Sequence, residues 1–369
     1  MERNEPPRWM QDKHFNEVLF CEDFLSAHPM VCVDFLSAHP MVCVDGSFFT
    51  ADGRITDEES IRKQIYEMLR PHFSCGLTKR ATGLVEMLKL EAYAPDLPLH
   101  EDRIHVANGT LFLSGAFCTE KEFCRNRLPI RYDPSAPQPV TWLRFLSDLL
   151  EPEDILTLQE YLGYCLIPTN RGQVMMLLKG NGGEGKSRIG VVMQKLLGSN
   201  MKNGSIAKVE RSPFARADLE HELLMVDDDM RMEALRQTNY VKPIVTAQGK
   251  MDLERKGKQS YQGWMFARLL AFSNGDLQAL YDRSDGFYRR QLVLTTREKP
   301  AGRVDDPDLA EKMKAEVEGI FLWAFEGLRG LLPTTSSSRR ASVHGITVRQ
   351  SSGITTTSLI FSNRRAISG

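Results

Sequence analysis

The chain has 369 residues, 42% of them apolar and 26% charged, and carries a formal net charge of −1. That is length enough for two domains and apolar content enough for packed cores. It excludes a globally basic nucleic-acid binder and, with no apolar run of spanning length, a membrane helix, so any DNA contact has to come from a local patch.

The N-terminus, Met-Glu-Arg-Asn-Glu-Pro-Pro-Arg, lacks the apolar core of a secretory signal. The cysteines number seven, an odd count, and none are spaced C-x-x-C. This argues for structural thiols in a reducing cytoplasm and against a zinc site. Residues 23–33, Asp-Phe-Leu-Ser-Ala-His-Pro-Met-Val-Cys-Val, recur unchanged as residues 34–44. Repeat architectures use longer, diverged units and at least three of them. The doubling therefore reads as a recent tandem duplication or an assembly error, with one copy looped out or mispaired, and Pro29 and Pro40 argue against one helix through both copies. Residues 1–54 are expected to be irregular.

From 57 to 90 the period turns helical. Ile61, Ile65, Met68 and Leu69 share one face, Ala81, Leu84, Val85 and Leu88 another, and Thr56 or Asp57 could cap the first helix. Two short apolar runs, 103–106 and 110–113, flank Asn108-Gly109 and predict a hairpin. Prolines 134, 137 and 139 mark 134–141 as a linker joining a mainly helical domain, 55–133, to a second domain that begins at 142. Residues 142–166 return to helical spacing. The histidines before residue 170 are scattered and form no catalytic constellation.

The centre of the chain is residues 180–187, Gly-Asn-Gly-Gly-Glu-Gly-Lys-Ser, which fits G-x-x-x-x-G-K-[ST]. Here Gly180, Asn181, Gly182, Gly183, Glu184 and Gly185 would curl so that backbone N–H groups converge on an anion. Lys186 would reach the outer phosphates and the Ser187 hydroxyl would ligate Mg²⁺. The context fits: an apolar run of strand length precedes the loop, and Ile189, Val192, Met193, Leu196 and Leu197 come after it at helical spacing.

About forty residues later, Leu223-Leu224-Met225-Val226 runs into Asp227-Asp228-Asp229. Acids at the carboxyl end of a buried strand could hold a metal and orient water. An acidic turn is the ordinary alternative. Two registers of the acidic pair are open, and Asp228 belongs to both. A further apolar run, 265–272, ends in Ser273-Asn274, where Asn274 could touch a terminal phosphate or simply form a turn. Arg289-Arg290 precedes another strand and could act on a neighbouring subunit's nucleotide.

This succession of glycine loop, acidic strand, basic segment, Ser-Asn strand and Gly-Phe-x-Arg-Arg resembles superfamily 3 helicases. More narrowly, it resembles the helicase half of phage and plasmid primase-helicases, related to the poxvirus primase-helicase. The likeness covers roughly residues 55–332. It implies an AAA+-like P-loop motor, an α/β fold of three layers around a mostly parallel sheet at 142–332, preceded by the mainly helical domain. It also implies a ring, usually a hexamer, that hydrolyses ATP with Mg²⁺ and moves on single-stranded DNA in the bacterial host's cytoplasm. Residue by residue it suggests Lys186 and Ser187 for phosphate and metal, Asp227 and Asp228 for metal and water, Asn274 as phosphate sensor, and Arg289 or Arg290 as the finger. Lys242, Arg255, Lys256 and Lys258 match its DNA-contacting basic segment. A solvated basic loop is the plainer reading of that segment.

Two departures stand out. Fewer than sixty residues precede the family-like region, with no paired-carboxylate primase motif, so a separate primase would have to make primers. Residues 333–369 turn rich in Ser, Thr and Arg, and are expected to be disordered. A change of reading frame near 333 would account for that tail. With the duplication, it keeps a second reading open: a nucleotide-binding scaffold, or a degraded prophage copy without helicase activity. A small-molecule kinase is a third reading, disfavoured because Asn274 and the Arg-Arg pair have no obvious role in it.

Overall fold

A computed structural model describes residues 7–11, 14–26, 41–55, 57–230, 238–274, 290–299, 302 and 305–331, with two short strands at Arg349–Ser351 and Ile354–Thr356. The chain divides into two compact units. One comprises Met1–Leu99, Ala107–Leu111 and Ala116–Arg127; the other comprises His100–Val106, Phe112–Gly115 and everything from Leu128 onward. The division therefore falls before the proline-rich stretch.

The first unit is more regular than its sequence suggests. Helix Glu17–Ser26 and an antiparallel sheet of Met41–Val44, Ser47–Thr50 and Gly53–Arg54 lie within residues 1–54, a stretch whose sequence predicts irregular structure. The helix ends on the opening Asp-Phe-Leu-Ser of the first repeat copy, and the first strand is the closing Met-Val-Cys-Val of the second. The described helix thus draws on the first copy and the described strand on the second, and residues 27–40 lie outside the described residues. Helices Glu58–Leu69 and Leu77–Glu91 come next, as predicted, and Asp57 caps the first through the Glu59 N–H. Ile61, Ile65, Leu69, Ala81, Leu84, Val85 and Leu88 face one core with Phe20, Phe24 and Met41. Strand Gly109–Phe112 follows the Asn108 turn, while strand Arg103–Val106 before it belongs to the second unit.

The second unit is built on five parallel strands, in the order Met201–Asn203, Leu224–Asp227, Arg268–Asn274, Met175–Gly180, Gln291–Thr295. They are called here the near-edge, acid, middle, loop and far-edge strands. Their near-continuous apolar runs are what a sheet covered on both faces requires. Each buried Leu, Met or Val contributes about 1.5–3 kcal/mol. Helix Ser187–Leu197 covers one face; Gly190 lets it sit close, since a Cβ there would lie 3.3 Å from Val226 Cγ1.

Helices Pro152–Tyr164 and Val317–Leu331 cross at glycines. A Cβ at Gly163 would meet Ala324 O at 2.2 Å, and one at Gly327 would meet Gln159 O at 2.5 Å. Tyr161 ties the first of these helices to the sheet by donating to Leu269 O at 2.7 Å. The expected linker at 134–141 is not a free tether. Pro137 and Pro139 rest on Gly319, and helix Val140–Leu149 begins within the stretch. Its first turn is capped by the Glu316 carboxylate, which accepts from Thr141 N and Trp142 N at 3.0 Å.

The last described helix ends at Leu331, and most of the tail expected to be disordered lies outside the described residues. Its two short strands pair antiparallel. Among the described residues no helix is long and apolar enough to cross a membrane. The six described cysteines are unbridged. Burial pushes the Cys21 thiol up to about 12 and those of Cys124 and Cys165 up to about 11, so these are inert packing residues.

Candidate functional site: an anion cradle at the carboxyl ends of the strands

The glycine loop leaves the loop strand at Gly180 and enters helix Ser187–Leu197 at Ser187. Gly182, Gly183 and Gly185 have φ of 101°, 82° and 100°, a left-handed run that L side chains resist, and this turns the amides inward. The cradle already holds an anion of its own. The Glu184 carboxylate accepts from Asn181 N at 2.5 Å, from Gly182 N at 3.0 Å and from Lys186 Nζ at 2.8 Å. The loop's amides and Lys186 thus converge on a carboxylate, so these donors suit an oxyanion.

Both partners are buried, Glu184 at 4% exposure and Lys186 at 6%. Burial alone would raise the Glu184 pKa. The Lys186 ammonium and the Asn181 N–H outweigh it and hold the carboxyl below the usual carboxylate range.

The middle strand lies between the loop strand and the acid strand, and pairs Asn274 with Gly180. This brings Asn274 Oδ1 to 3.0 Å from Lys186 Nζ, which donates to it. A cavity of about 240 Å³ opens among residues 182–188, Asp228 and Asn274. Lys186, Ser187, Asp228 and Asn274, drawn from three separate segments, therefore share one cavity.

The acid strand resolves which carboxylate faces that cavity. Asp227, the strand's last residue, is 5% exposed and accepts from Ile206 N at 2.7 Å, at the start of helix Ile206–Arg211. Burial raises its pKa; the N–H donors of Ile206 and Asp229 offset this in part, and the Asp229 and Asp228 charges add to the rise. Asp228 is exposed, lines the cradle, and lines a larger neighbouring cavity of about 970 Å³ beside Ser187, Gly190 and Lys314. Of the two acids named from sequence, one caps a helix and one faces the cradle.

The basic segment is a hairpin, Gly249–Leu253 against Tyr261–Met265. Lys256 and Lys258 are exposed at its tip. Arg255 instead braces the base of the turn, donating to Tyr261 Oη at 2.7 Å and Glu220 Oε2 at 2.8 Å. Lys242 is not on the hairpin but in the first turn of helix Val241–Thr246.

Arg290 sits at the amino end of the far-edge strand, where its carbonyl accepts from Met175 N at 2.8 Å. The loop strand's six residues, at about 3.3 Å each, separate that end from the cradle. Arg290 therefore cannot reach the cradle of its own chain. Arg289 lies outside the described residues.

A family model matches residues 178–290. Its family, DUF5906, is one of unknown function. No curated protein matches the chain. Among solved structures, the chain is similar to the apo NrS-1 C terminal region (305-718), at 16% identity over 54% of this chain and 50% of that one, with a TM-score of 0.45. It is also similar to the A form of the apo NrS-1 C terminal region, at 12% identity over 77% of this chain and 65% of that one, with a TM-score of 0.49. The chain thus spans from half to just under two thirds of the length of these structures.

Two features of the cradle escaped the sequence. The inward turn of Glu184 depends on the curl of the loop; an acid two residues before the loop lysine is its only signal. Arg188 also lines the cavity and donates to Asp306 O at 3.3 Å, and no spacing rule marks it.

Proposed function

We propose that this protein is an ATP-dependent DNA helicase motor of phage or plasmid replication, working as a ring on single-stranded DNA. The observation that carries the reading is the hydrogen bond from Lys186 to Asn274, made by a strand inserted between the glycine loop and the acids. That arrangement supports an AAA+-like motor over a small-molecule kinase, since it gives Asn274 a place beside the transferred phosphate.

The residues fit a triphosphate. The amides of Asn181 and Gly182 and the Lys186 ammonium already hold an oxyanion. Mg²⁺, held by the Ser187 hydroxyl and Asp228, would supply charge neutralisation on the outer phosphates. Lys186 would exchange Glu184 for phosphate oxygens. Asn274 would orient the attacking water, and Asp228 or Asp229 would accept its proton. Arg290, remote from its own cradle, suits a site shared with the next subunit, with Arg289 the other candidate for that finger. Lys256 and Lys258 would neutralise DNA phosphates without reading sequence, with Lys242 nearby in the chain and Arg255 as the brace.

The test is ATP hydrolysis with and without single-stranded DNA, for wild type and Lys186→Ala. DNA-stimulated turnover that falls about 10²–10³-fold in the variant is expected. Turnover indifferent to DNA would overturn the motor reading. Nucleotide binding without turnover would favour the scaffold or degraded copy, a reading kept by the doubled segment at 23–44.

A further inference from the structure

The far-edge strand carries a residue that no motif marks. Thr296 comes directly after Thr295, which pairs with Lys179, and its own N–H donates to Lys179 O at 2.8 Å. Thr296 therefore continues the ladder beside Gly180, on the side opposite Asn274. Residues in one row across parallel strands present their side chains to the same face. Asn274, Gly180 and Thr296 form such a row, and the missing side chain of Gly180 opens the gap between its two polar neighbours.

A point one bond out from Gly180, where a Cβ would sit, lies 2.4 Å from Thr296 Oγ1, 2.6 Å from Lys186 Nζ and 3.0 Å from Glu184 Cδ. The hydroxyl, the ammonium and the carboxylate converge there. Asn274 and Glu184 both hydrogen-bond Lys186. Thr296 Oγ1 has no hydrogen-bond partner among the described residues, although the residue is only 9% exposed. A buried hydroxyl left unpaired weakens a fold, and a valine of the same shape would remove the penalty. Natural chains keep such groups where a ligand completes them.

We propose that Thr296 is a further phosphate-binding residue, its hydroxyl donating to an oxygen of the phosphate chain held by Lys186. This rests on the nucleotide reading above and extends it to a second strand tip, so that the loop lysine works between Asn274 on one side and Thr296 on the other. The hydroxyl of Ser273 is also buried and unpaired. It stands one residue earlier in the middle strand, on the opposite face, and serves as the control.

The experiment compares wild type, Thr296→Val, Thr296→Ser and Ser273→Ala, measuring melting temperature without ligand and affinity for Mg·ATP. For Thr296→Val we expect a ligand-free melting temperature raised by about 2 °C and an affinity lowered about tenfold or more. Thr296→Ser keeps the hydroxyl and should match wild type in both. Ser273→Ala should gain stability with unchanged affinity. Valine that binds Mg·ATP as tightly as wild type overturns the proposal. So does valine that lowers the ligand-free melting temperature, because the hydroxyl would then have a structural partner. Wild type that binds neither Mg·ATP nor pyrophosphate sinks the nucleotide reading and this proposal together, an outcome visible in wild type alone.

Discussion

The two ends of the parallel sheet treat charge differently. At the carboxyl ends, Lys186 meets a carboxylate and an amide beside an open cavity, partners that the proposed function would exchange for phosphate oxygens. At the amino ends, Arg268 is 1% exposed and donates to the carbonyls of Thr169 and Phe266 at 2.9 and 2.8 Å, with its guanidinium 5.0 Å from the Tyr164 ring centroid. Beneath lies the glycine-tight helix crossing, where no atom can be added. One end keeps exchangeable contacts beside an open cavity; the other holds a buried guanidinium against backbone carbonyls and helices packed at glycines. Substitutions at the first end should change binding with little effect on stability, and substitutions at the second should do the reverse.

The sharpest test of that contrast is Gly163→Ala. The new methyl would collide with backbone at Ala324 and Leu328, atoms that cannot rotate away. Overpacking of this kind costs about 1–3 kcal/mol, and rigid backbone on both sides puts this case at the upper end. Denaturant unfolding should show the loss. A neutral result would mean that the helices slide apart cheaply and that the packed end is softer than its geometry implies.

Asp227 and Asp228, adjacent in sequence, divide the same way. Asp227→Ala strips the cap from the Ile206 N–H and should cost about 1–2 kcal/mol. Asp227→Asn keeps an acceptor and removes a buried charge. Because burial raises the folded pKa of Asp227, its ionisation penalises the folded state above that pKa, and the penalty fades as pH falls through it. The asparagine variant should therefore match or exceed wild type at pH 7 and lose that advantage in acid. Asp228→Asn, exposed at the cradle, should leave unfolding unchanged and abolish metal-dependent turnover. Loss of turnover in Asp227→Asn but not in Asp228→Asn would reverse the assignment.

At the hairpin the contrast is smaller. Lys256→Ala and Lys258→Ala should each reduce the salt dependence of single-stranded DNA binding by about one unit of slope. Arg255→Ala, which breaks the contacts to Glu220 and Tyr261, should weaken binding by loosening the turn. Equal salt slopes for all three variants would make Arg255 a phosphate contact as well.

How much of this is legible in the sequence depends on how far each signal extends. The glycine loop, its helix and the apolar strands are local patterns whose spacing carries their geometry. Asn274 is legible only through its place in the order of elements, because an Asn at a strand end is an ordinary turn former. The choice between Asp227 and Asp228 is not legible: the strand's last inward turn decides it, and one residue of register flips the face. The proline-rich stretch reads as a linker because its partner, Gly319, lies nearly two hundred residues away. The first 54 residues read as irregular because the duplication, with Pro29 and Pro40 inside it, blurs the periods of the helix Glu17–Ser26 and the strand Met41–Val44 at its two ends.

Glu184 puts the comparison to its finest test, because it is a site-end residue with the burial of a core residue. Two roles fit its contacts. As a brace, its carboxylate holds the amides of Asn181 and Gly182 and shapes the loop. As a resident anion, it occupies Lys186 and must be displaced by phosphate. Glu184→Gln keeps an acceptor oxygen for the loop amides and removes the charge, so the roles predict opposite signs. If displacement dominates, Mg·ATP should bind about threefold to tenfold more tightly to the variant, since a like charge has left the cradle. If bracing dominates, binding should weaken. The pH dependence supplies a second axis. The folded pKa of Glu184 lies below its ordinary value of 4.5, so its ion pair is at full strength above that value and is lost as pH falls through the folded one. Between pH 6 and 8 the carboxylate stays charged, and the affinity ratio of variant to wild type should be flat. Titration of the phosphate itself shifts both proteins alike and cancels in that ratio. A ratio that changes across this range would mean that the carboxylate takes up a proton near neutrality, which the Lys186 contact should prevent.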